Sequence, residues 1–447
     1  MNLLRLHQSN PKRFPFLLQS TAKNTGDKNS DSRFDILFAL PGQALVLNSS
    51  YELFLDNKPL EENNFLNAFD GIWKNQKTEN FPHETEELPF TGGWFLFLSY
   101  ELVSQIETSL GQLTTEKNIP VAMAVRCPAA IICNKHSGEV TIVAEQSVSE
   151  SDFSKLNDAI AGLEPEKENK KIHINHLHED DERIYLDNIG RVKQYIHDGD
   201  VFQVNLSRKW QANIKQGNAP EIYRHLCETN PGPFAGLARL SEECTIISSS
   251  PERLVSCKNN KVTTRPIAGT FPRNSDQTLD NDLPAALVAN PKERAEHIML
   301  IDLERNDLGR VCLPGSVEVS EMMVVETYKH VHHIVSQVEG LLAENKSPAD
   351  IIRAVFPGGT ITGCPKVRCM EIIRDMENCS RGAYTGAMGY INTSGDMDLN
   401  ILIRTLVVEK NNLHFRAGSG LVADSEPQRE LDETRAKAKG LIQAVLN

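Results

Sequence analysis

The sequence predicts an α+β fold built on large antiparallel sheets, and three observations support this prediction. Short runs of alternating apolar residues, such as VAMAVRCPAAIIC (121–133) and EVTIVAE (139–145), are separated by clusters of Gly, Pro and Asn, a pattern typical of antiparallel strands. Later in the chain, helical and strand periodicities mix without the strict βαβ alternation of a parallel sheet. The composition, 40% apolar and 24% charged, is that of an ordinary globular protein.

A charged stretch with almost no apolar periodicity, GLEPEKENKKIHINHLHEDDER (162–183), divides the chain. Such a segment is typical of a linker or an exposed excursion. We therefore predict an N-terminal region of mostly strands (1–165), a charged linker (166–183) and a C-terminal region (184–447).

Charge and hydropathy exclude several classes of partner. The net charge of −13 argues against nucleic acid or an anionic membrane as the main partner. No apolar run approaches the roughly 20 residues that span a bilayer, and the first residues lack the apolar core of a signal peptide. We expect a cytoplasmic protein with no membrane partner. The nine cysteines form no C-x-x-C pair. We therefore interpret them as reduced cysteines rather than as zinc ligands.

Residues 184–199 carry apolar residues at helical spacing, and Gly199 is placed to end that helix. The strand VFQVNLS (201–207) follows directly. Its period of two places Phe202, Val204 and Leu206 on one face and Gln203, Asn205 and Ser207 on the other. The second face can meet solvent, a ligand or a polar layer.

A strand breaks at Ser250-Pro251, and Glu252 and Arg253 follow before apolar residues resume. A carboxyl group between apolar flanks has a raised pKa and can act as a general acid. An ordinary turn residue, or a pair with Arg253, explains the same pattern.

Two predicted helices carry further carboxylates. Asn290 and Pro291 form a helix start, and Glu296 lies on the same side of that helix as apolar residues. Near the C-terminus, Ser425 and Gln428 predict a capping box ahead of Glu430 and Glu433. These two carboxylates can repel each other or pair with Lys437. Together with Glu296 they can instead hold a magnesium ion.

Two glycine-containing stretches have the character of anion sites. FPGGTITGCPKVR (356–368) precedes a helix and can bind a carboxylate or phosphate through backbone amides, although it lacks the Gly-Lys-Ser/Thr of a nucleotide P-loop. Arg404, inside the apolar run DLNILIRTLVV (398–408), needs an anionic partner, which a structural or a ligand carboxylate can supply. In RPIAGTFPRN (265–274), Arg265 and Arg273 favour an anion around Ala268.

Taken together, several of these stretches resemble the chorismate-utilising enzymes, and in particular component I of aminodeoxychorismate synthase and of anthranilate synthase. The stretches that match, in order over residues 185–445, are FQVNLSR, SPERLV, RPIAGT, ERAEHIMLIDLERNDLGRV, VHHIVS, FPGGTITGCPKVR, IRTL and GSGLVADSEPQRELDE. The N-terminal region matches loosely through FPFLLQS and GGWFLFLSYEL. The resemblance implies large antiparallel sheets packed face to face, with the helices outside.

The resemblance also implies a set of site residues. Glu252 would be the general acid for loss of the 4-hydroxyl of chorismate, and His333 would orient the ring. Gln203 stands where isochorismate and salicylate synthases carry a lysine that activates water. The implied magnesium ligands are Glu296, Glu430 and Glu433, and the implied substrate-binding residues are Gly269, Thr270, Thr360, Tyr390, Arg404, Gly418, Gly420 and Lys437.

Without a lysine at position 203, ammonia is the better nucleophile, and the family implies a glutamine amidotransferase subunit that supplies it. The resemblance implies a difference at the position of Ala268. Aminodeoxychorismate synthases carry a lysine there, which attacks carbon 2 of chorismate, whereas anthranilate synthases carry an alanine. Ala268 thus favours anthranilate, while chain length and the FPGGTITG loop favour 4-amino-4-deoxychorismate. We expect the latter product, with anthranilate synthase as the alternative. A silent chorismate-binding subunit is a third, less favoured reading.

Overall fold

The computed structural model describes residues 1–21, 33–78, 88–163, 171–273, 276–327 and 331–446. The helices are α1 (Leu3–Ser9), α2 (Phe65–Gln76), α3 (Val103–Ile106), α4 (Glu150–Ala161), α5 (Glu182–His197), α6 (Ala219–Thr229), α7 (Gln277–Ala289), α8 (Pro291–Gly309), α9 (Pro348–Val355), α10 (Lys366–Glu377) and α11 (Pro427–Leu446). Short 3₁₀ turns lie at Tyr100–Leu102, Thr108–Leu110 and Gly359–Ile361.

The strands divide at the charged stretch. Before it lie β1 (Phe16–Gln19), β2 (Phe34–Ala39), β3 (Ala44–Leu47), β4 (Leu53–Leu55), β5 (Lys58–Pro59), β6 (Gly93–Leu98), β7 (Ala122–Cys127), β8 (Ala129–Asn134) and β9 (Val140–Ala144). Within or after it lie β10 (His173–Ile174), β11 (His178–Glu179), β12 (Gln203–Gln216), β13 (Phe234–Arg239), β14 (Cys244–Ser250), β15 (Arg253–Lys258), β16 (Lys261–Thr264), β17 (Ile267–Pro272), β18 (Glu318–Thr327), β19 (Val331–Leu341), β20 (Gly363–Cys364), β21 (Ala387–Asn392), β22 (Met397–Ile401), β23 (Thr405–Glu409) and β24 (Asn412–Leu421).

These strands form two large antiparallel sheets. The first has the order β10-β12-β24-β23-β14-β13-β1-β2-β8-β9, with β11 and β20 also paired to β12. The second has the order β17-β19-β16-β15-β22-β21-β6-β7-β3-β4-β5, with β18 paired to β19. The predicted sheet class is therefore confirmed.

Both sheets contain strands from both sides of the charged stretch. In the first sheet β1 pairs with β13, so that Leu17 lies opposite Leu237. In the second sheet β6 pairs with β21, so that Leu96 lies opposite Gly389. The boundary drawn from composition is thus a boundary in sequence and not between two cores. Of the predicted linker, residues 166–170 lie outside the described residues, and β10 and β11 pair with β12.

The sheets pack face to face with helices outside. Between them, Phe16 of the first sheet stacks on Phe95 of the second with ring centroids 3.9 Å apart, and Phe38 meets the same ring edge-on. Helices α6 and α11 cover the outer side of the first sheet, where Leu226 and Leu441 share a cluster with its strands. Helices α2, α8, α9 and α10 contribute to the cluster that covers the second sheet.

The chain crosses between the sheets twice at the same place. Strand β14 of the first sheet leads through Pro251 and Glu252 into β15 of the second. Strand β22 of the second leads through 402–404 back into β23 of the first. Arg404 therefore does not lie within a continuous strand, as its apolar flanks predicted, but in a turn with φ +53°. The backbone N–H of Ile401 donates to Glu252 O, and that of Ser249 to Arg404 O, each at 3.1 Å.

Local predictions had mixed outcomes. Helix α5 begins two residues before the predicted start, and the side chain of Asn290 caps α8 by accepting from Lys292 N. The capping box at Ser425 and Gln428 is wrong, because α11 begins later and the Ser425 hydroxyl donates to Glu430 Oε1 instead. The strand predicted at 201–207 is present, but it begins at Gln203 and extends further, to Gln216.

The part of the chain that the structure describes has no membrane-spanning helix and no disulfide bond. None of its helices is both long and apolar enough to cross a bilayer. Its nine cysteines are free thiols.

A buried ionic layer lies beneath β12 and β24. The Glu377 carboxylate, 4% exposed, accepts from Arg381 at 2.7 Å, from Arg416 at 3.2 Å and from the Ser207 backbone and hydroxyl. Although burial alone would raise the pKa of Glu377, the two guanidinium groups lower it below its usual value. One carboxylate thus pairs with two buried cations. The Arg381 guanidinium also donates to the backbone O of Asn205 at 2.8 Å.

We expect Glu377→Ala to lower the free energy of unfolding by about 3–5 kcal/mol, because it leaves two buried guanidinium groups without their carboxylate. The matched control is Glu371→Ala on the same helix, whose partly exposed pair with Arg368 should contribute less than about 1 kcal/mol. Urea unfolding followed by circular dichroism measures both. Equal losses for the two variants would contradict the importance of the buried layer.

Candidate active site

The two crossings between the sheets open onto a polar site. Glu252 lies on one crossing and Arg404 on the other, and the ends of β12, β17, β19 and β24 surround them together with α8 and α11. Because the chain passes from one sheet to the other here, side chains from both sheets come close together. The predicted site residues, with one exception, collect at this place.

Glu252 is buried, and its surroundings change the pKa of its carboxyl group. Burial raises the pKa of Glu252 to about 7, opposed by a hydrogen bond from Thr360, by the Ile267 backbone and by the charge of Lys437. The Thr360 hydroxyl donates to Glu252 Oε1 at 2.7 Å. A carboxyl group with this pKa is protonated in a large share of molecules at neutral pH, which suits a general acid. It is therefore not the exposed turn residue of the alternative interpretation, and Arg253 pairs instead with Asp398 at 2.9 Å.

A cationic and glycine-lined pocket lies beside Glu252. Lys437 Nζ donates to Gly418 O at 3.0 Å and pairs with Glu433 at 2.6 Å, and Arg404 Nη1 donates to the Lys437 backbone at 2.9 Å. A Cβ atom added at Gly418 would approach the Tyr384 hydroxyl to 2.6 Å. An ammonium group and a phenol therefore lie beside Gly418, and the Arg404 guanidinium group lies near the same phenol. This arrangement is suited to a carboxylate ligand.

The predicted magnesium ligands lie on α8 and α11. Burial raises the pKa of Glu296, and the neighbouring charges of Glu293 and Glu433 add to this effect. Glu430 accepts from Ser425 at 2.7 Å. Mutual repulsion among carboxylates is relieved by a hard divalent cation, so the donor set fits magnesium.

Another trio of ligand-type side chains is more tightly gathered but already paired. Among the described residues, Glu116, Glu409 and His414 bring their ligand atoms within 4.8 Å of one another. Lys209 Nζ lies 3.3 Å from Glu116, and His414 lies 3.0 Å from it. This trio is an internal ion-pair group and belongs to neither α8 nor α11.

Gln203 lies between the Glu296 carboxylate and Gly418 and Gly420 of β24, which we call the glycine strip. Its side chain is 5% exposed, and Nε2 donates to Glu296 Oε1 at 2.9 Å. A Cβ atom at Gly420 would collide with that amide. The polar face predicted for β12 is therefore a buried polar layer, whereas Phe202 on the other side is 67% exposed.

The strand pair β17 and β19 completes the site. Ala268 is buried opposite Ile334, and a bulge separates it from Thr270, which lies opposite His333. The Thr270 side chain lies outside the described residues. Burial, with the charge of Arg404 acting in the same direction, lowers the pKa of His333 to about 4. His333 is therefore neutral at physiological pH. Gly269 has φ +82° and lies beside the Glu293 carboxylate.

Tyr390 is the exception among the predicted residues. Its ring packs against Phe90 and Phe38 in the core between the sheets. It lines a separate cavity of about 270 Å³ together with Leu18, Gln19 and Ser20 of the FPFLLQS segment. The tyrosine that reaches the glycine strip is Tyr384. The prediction of Tyr390 as a substrate contact is thus corrected by its position.

Two site residues escaped the sequence analysis. Glu293 and Glu296 have the same three-residue spacing as Glu430 and Glu433, so the sequence carried a usable signal for Glu293, although a glutamate three residues after the Asn290 cap also fits an ordinary helix start. Tyr384 lies in the turn before β21, where neither helical nor strand periodicity applies. For that residue the pattern carried no signal.

Comparison with known proteins is consistent with this site. A family model described as "chorismate binding enzyme" matches residues 26–443. The chain is 41% identical over 371 residues to an anthranilate synthase component I-like protein of Synechocystis sp., covering 82% of this chain and 75% of the relative. It is 35% identical over 432 residues to aminodeoxychorismate synthase component 1 of Escherichia coli, covering 92% and 89%. The crystal structure of anthranilate synthase component I from Streptococcus pneumoniae superposes with TM-score 0.82 at 30% identity, covering 93% of this chain and 94% of that one.

Replacing Thr360 with valine should move the pKa of Glu252 upward from about 7, because the lost hydrogen bond stabilises the ionised carboxylate. Carbon-13 NMR titration of glutamate carboxyl groups measures the shift, with Glu252→Gln identifying the resonance. Thr362→Val is the control, since that hydroxyl donates to Gly358 O. An unchanged pKa in Thr360→Val would mean that the contact does not tune the acid.

Proposed function

Because the chain belongs to the family of chorismate-binding enzymes, we propose that it catalyses the magnesium-dependent amination of chorismate by ammonia to give 4-amino-4-deoxychorismate, a precursor of 4-aminobenzoate and folate. The observation that carries the proposal is the buried Glu252, whose pKa of about 7 suits an acid that expels a hydroxyl group.

The proposed reaction replaces one bond at the ring. Glu252 gives a proton to the 4-hydroxyl as the carbon–oxygen bond breaks, and water leaves. Ammonia forms the carbon–nitrogen bond and then loses a proton, which restores the acid in the overall balance. Neutral His333 would lie beside the bound ring and would orient it without adding charge.

Substrate binding is assigned to the two polar flanks of the site. Arg404, Lys437, Tyr384 and the strip at Gly418 and Gly420 would hold one carboxylate. On the other flank Glu296, Glu430 and Glu433, joined by Glu293, would hold magnesium. When bound, that ion would neutralise and position the second carboxylate of chorismate.

The choice of carbon 4 is supported by the loop at 356–363. By resemblance, anthranilate synthases more often carry the motif PAGTxSG in this loop, with alanine at the position of Gly358. In this chain a Cβ atom at Gly358 would approach Ile401 Cδ1 to 2.9 Å. The local packing is therefore that of a glycine, as in the aminodeoxychorismate type.

Ala268 favours the alternative, an anthranilate synthase component I that aminates carbon 2 and releases pyruvate. No lysine at position 268 can attack carbon 2. The ammonium group of Lys437 is engaged by Glu433 and Gly418 O, so it is not placed as a free nucleophile. The proposed enzyme therefore substitutes carbon 4 directly.

We assign ammonia delivery to a separate glutamine amidotransferase subunit that forms a heterodimer with this chain. A glutaminase nucleophile needs an accessible cysteine with a histidine base. Cys379 is exposed, but its sulfur is contacted by Arg416 Nη1 at 3.3 Å. Free ammonium should therefore replace glutamine when this chain is assayed alone.

The purified chain, mixed with chorismate, magnesium and ammonium at mildly alkaline pH, should give a non-fluorescent product with the mass of 4-amino-4-deoxychorismate. An added lyase should convert this product to 4-aminobenzoate, as mass spectrometry can establish. The control omits ammonium and should contain no aminated product. A fluorescent product accompanied by pyruvate would assign the alternative, anthranilate synthesis.

Removal of divalent cations with EDTA should abolish turnover, and added magnesium should restore it. Glu433→Gln should weaken magnesium binding about tenfold or more, because one anionic ligand is lost. Isothermal titration calorimetry measures the affinity directly. Asp432→Asn, one residue earlier on the solvent side of the same helix, is the matched control. Unchanged magnesium affinity in Glu433→Gln would remove that residue from the ligand set.

A further inference from the structure

Two buried amide oxygens at the site have no hydrogen-bond donor among the described residues. They are Gln203 Oε1 and Asn205 Oδ1. The side chains are 5% and 8% exposed and lie on the same face of β12. A buried amide oxygen without a donor is destabilising. Two such groups side by side indicate a ligand that donates hydrogen bonds.

Both side chains lie over the glycine strip of β24. Gln203 covers Gly420, and a Cβ atom at Gly418 would approach Asn205 Oδ1 to 2.9 Å and the Tyr384 hydroxyl to 2.6 Å. Neither glycine offers a side chain that could satisfy the amides. The free oxygens therefore lie against Gly418 and Gly420, on the flank of the site to which substrate binding is assigned above.

The surrounding contacts fix both residues in place. Gln203 Nε2 is held by Glu296 Oε1 at 2.9 Å, which leaves Oε1 as the unengaged end of that amide. The backbone of Asn205 donates to Thr362 O at 2.9 Å and accepts from Arg381 at 2.8 Å. The pair is thus pre-oriented by the loop at 356–363 and by the buried ionic layer.

We propose that Asn205, acting with Gln203, is a nucleophile-specificity residue and that the two amide oxygens bind ammonia. This inference rests on the proposed function. Carboxylates of the substrate offer only acceptors, whereas ammonia offers three N–H donors and one lone pair. Two amide oxygens can hold two N–H groups while the lone pair stays directed at the ring. Since an amide is not a base, the same groups do not activate water.

The test is a kinetic comparison of the wild-type chain and Asn205→Leu, a substitution of similar size that removes the acceptor. With chorismate saturating and pH and ionic strength constant, the KM for ammonium should rise roughly 2- to 10-fold, the effect of one lost neutral hydrogen bond. The KM for chorismate should stay within about twofold of wild type, and the product should be unchanged. Asn205→Ala is the second variant if the leucine variant does not fold.

The matched control is Asn213→Leu, the same substitution at the exposed end of the same strand, where the side chain contacts Asn175 and Asn412. It should leave both KM values unchanged. A variant at position 205 that raises only the KM for chorismate would overturn the inference, because the amide would then contact the substrate. Unchanged values for both substrates would overturn it as well.

The wild-type assay separates this inference from the proposed function. If the wild-type chain yields no aminated product with ammonium, the proposed function fails and the ammonia site with it. If the wild type aminates chorismate and the variants at position 205 behave like it, only the role of Asn205 fails. The attacked carbon does not enter this test, because either product requires ammonia.

Discussion

The paired crossings between the two sheets are the constraint on which the site depends. A chain that leaves one antiparallel sheet for another must break its ladder hydrogen bonds, and a buried break is stable only if those groups are satisfied elsewhere. Here the two crossings satisfy each other, through Ile401 to Glu252 and through Ser249 to Arg404. These backbone bonds fix the main chain at Glu252 and at Arg404 on two neighbouring crossings in the interior. Reactive groups are thus placed by main-chain geometry rather than by side-chain packing alone.

Charge neutralisation beneath the site is the second requirement. Arg381 lies 5.6 Å from the centre of the Tyr384 ring and donates to Asn205 O, so the same guanidinium group supports two residues that face the pocket. Its charge is acceptable inside the protein because Glu377 pairs with it and with Arg416. The layer therefore couples stability to the position of the phenol and the amide. The site carboxylates on α8 and α11 outnumber their cationic partners, of which Lys437 pairs with Glu433. The excess of negative charge suits a metal ion.

The sequence was informative where a local rule decides the structure. The period of two along β12 correctly placed Gln203 and Asn205 on a polar face, and Asn290 with Pro291 correctly marked the start of α8. The antiparallel class followed from short alternating runs. Each of these features depends on neighbours within a few positions in the chain.

Features that depend on distant segments were not predictable in the same way. The apolar run around Arg404 reads as one strand, because nothing local reveals that its two halves belong to different sheets. Tyr390 and Tyr384 are six positions apart, and only the packing of Phe38 and Phe90 decides which ring turns into the core. The grouping of Glu293 and Glu296 with Glu433 requires two helices that are far apart in sequence to lie together.

The interleaving of the strands has a consequence for how such a chain can be divided. A polypeptide ending near the charged stretch would carry β1 and β6 without β13 and β21, the neighbours that cover their edges. Strand edges left open in this way promote association. Two fragments made by a cut there would be incomplete apart but complementary together, each supplying strands to both sheets of the other. The enzyme could be inherited as two genes only if their products assembled as they folded.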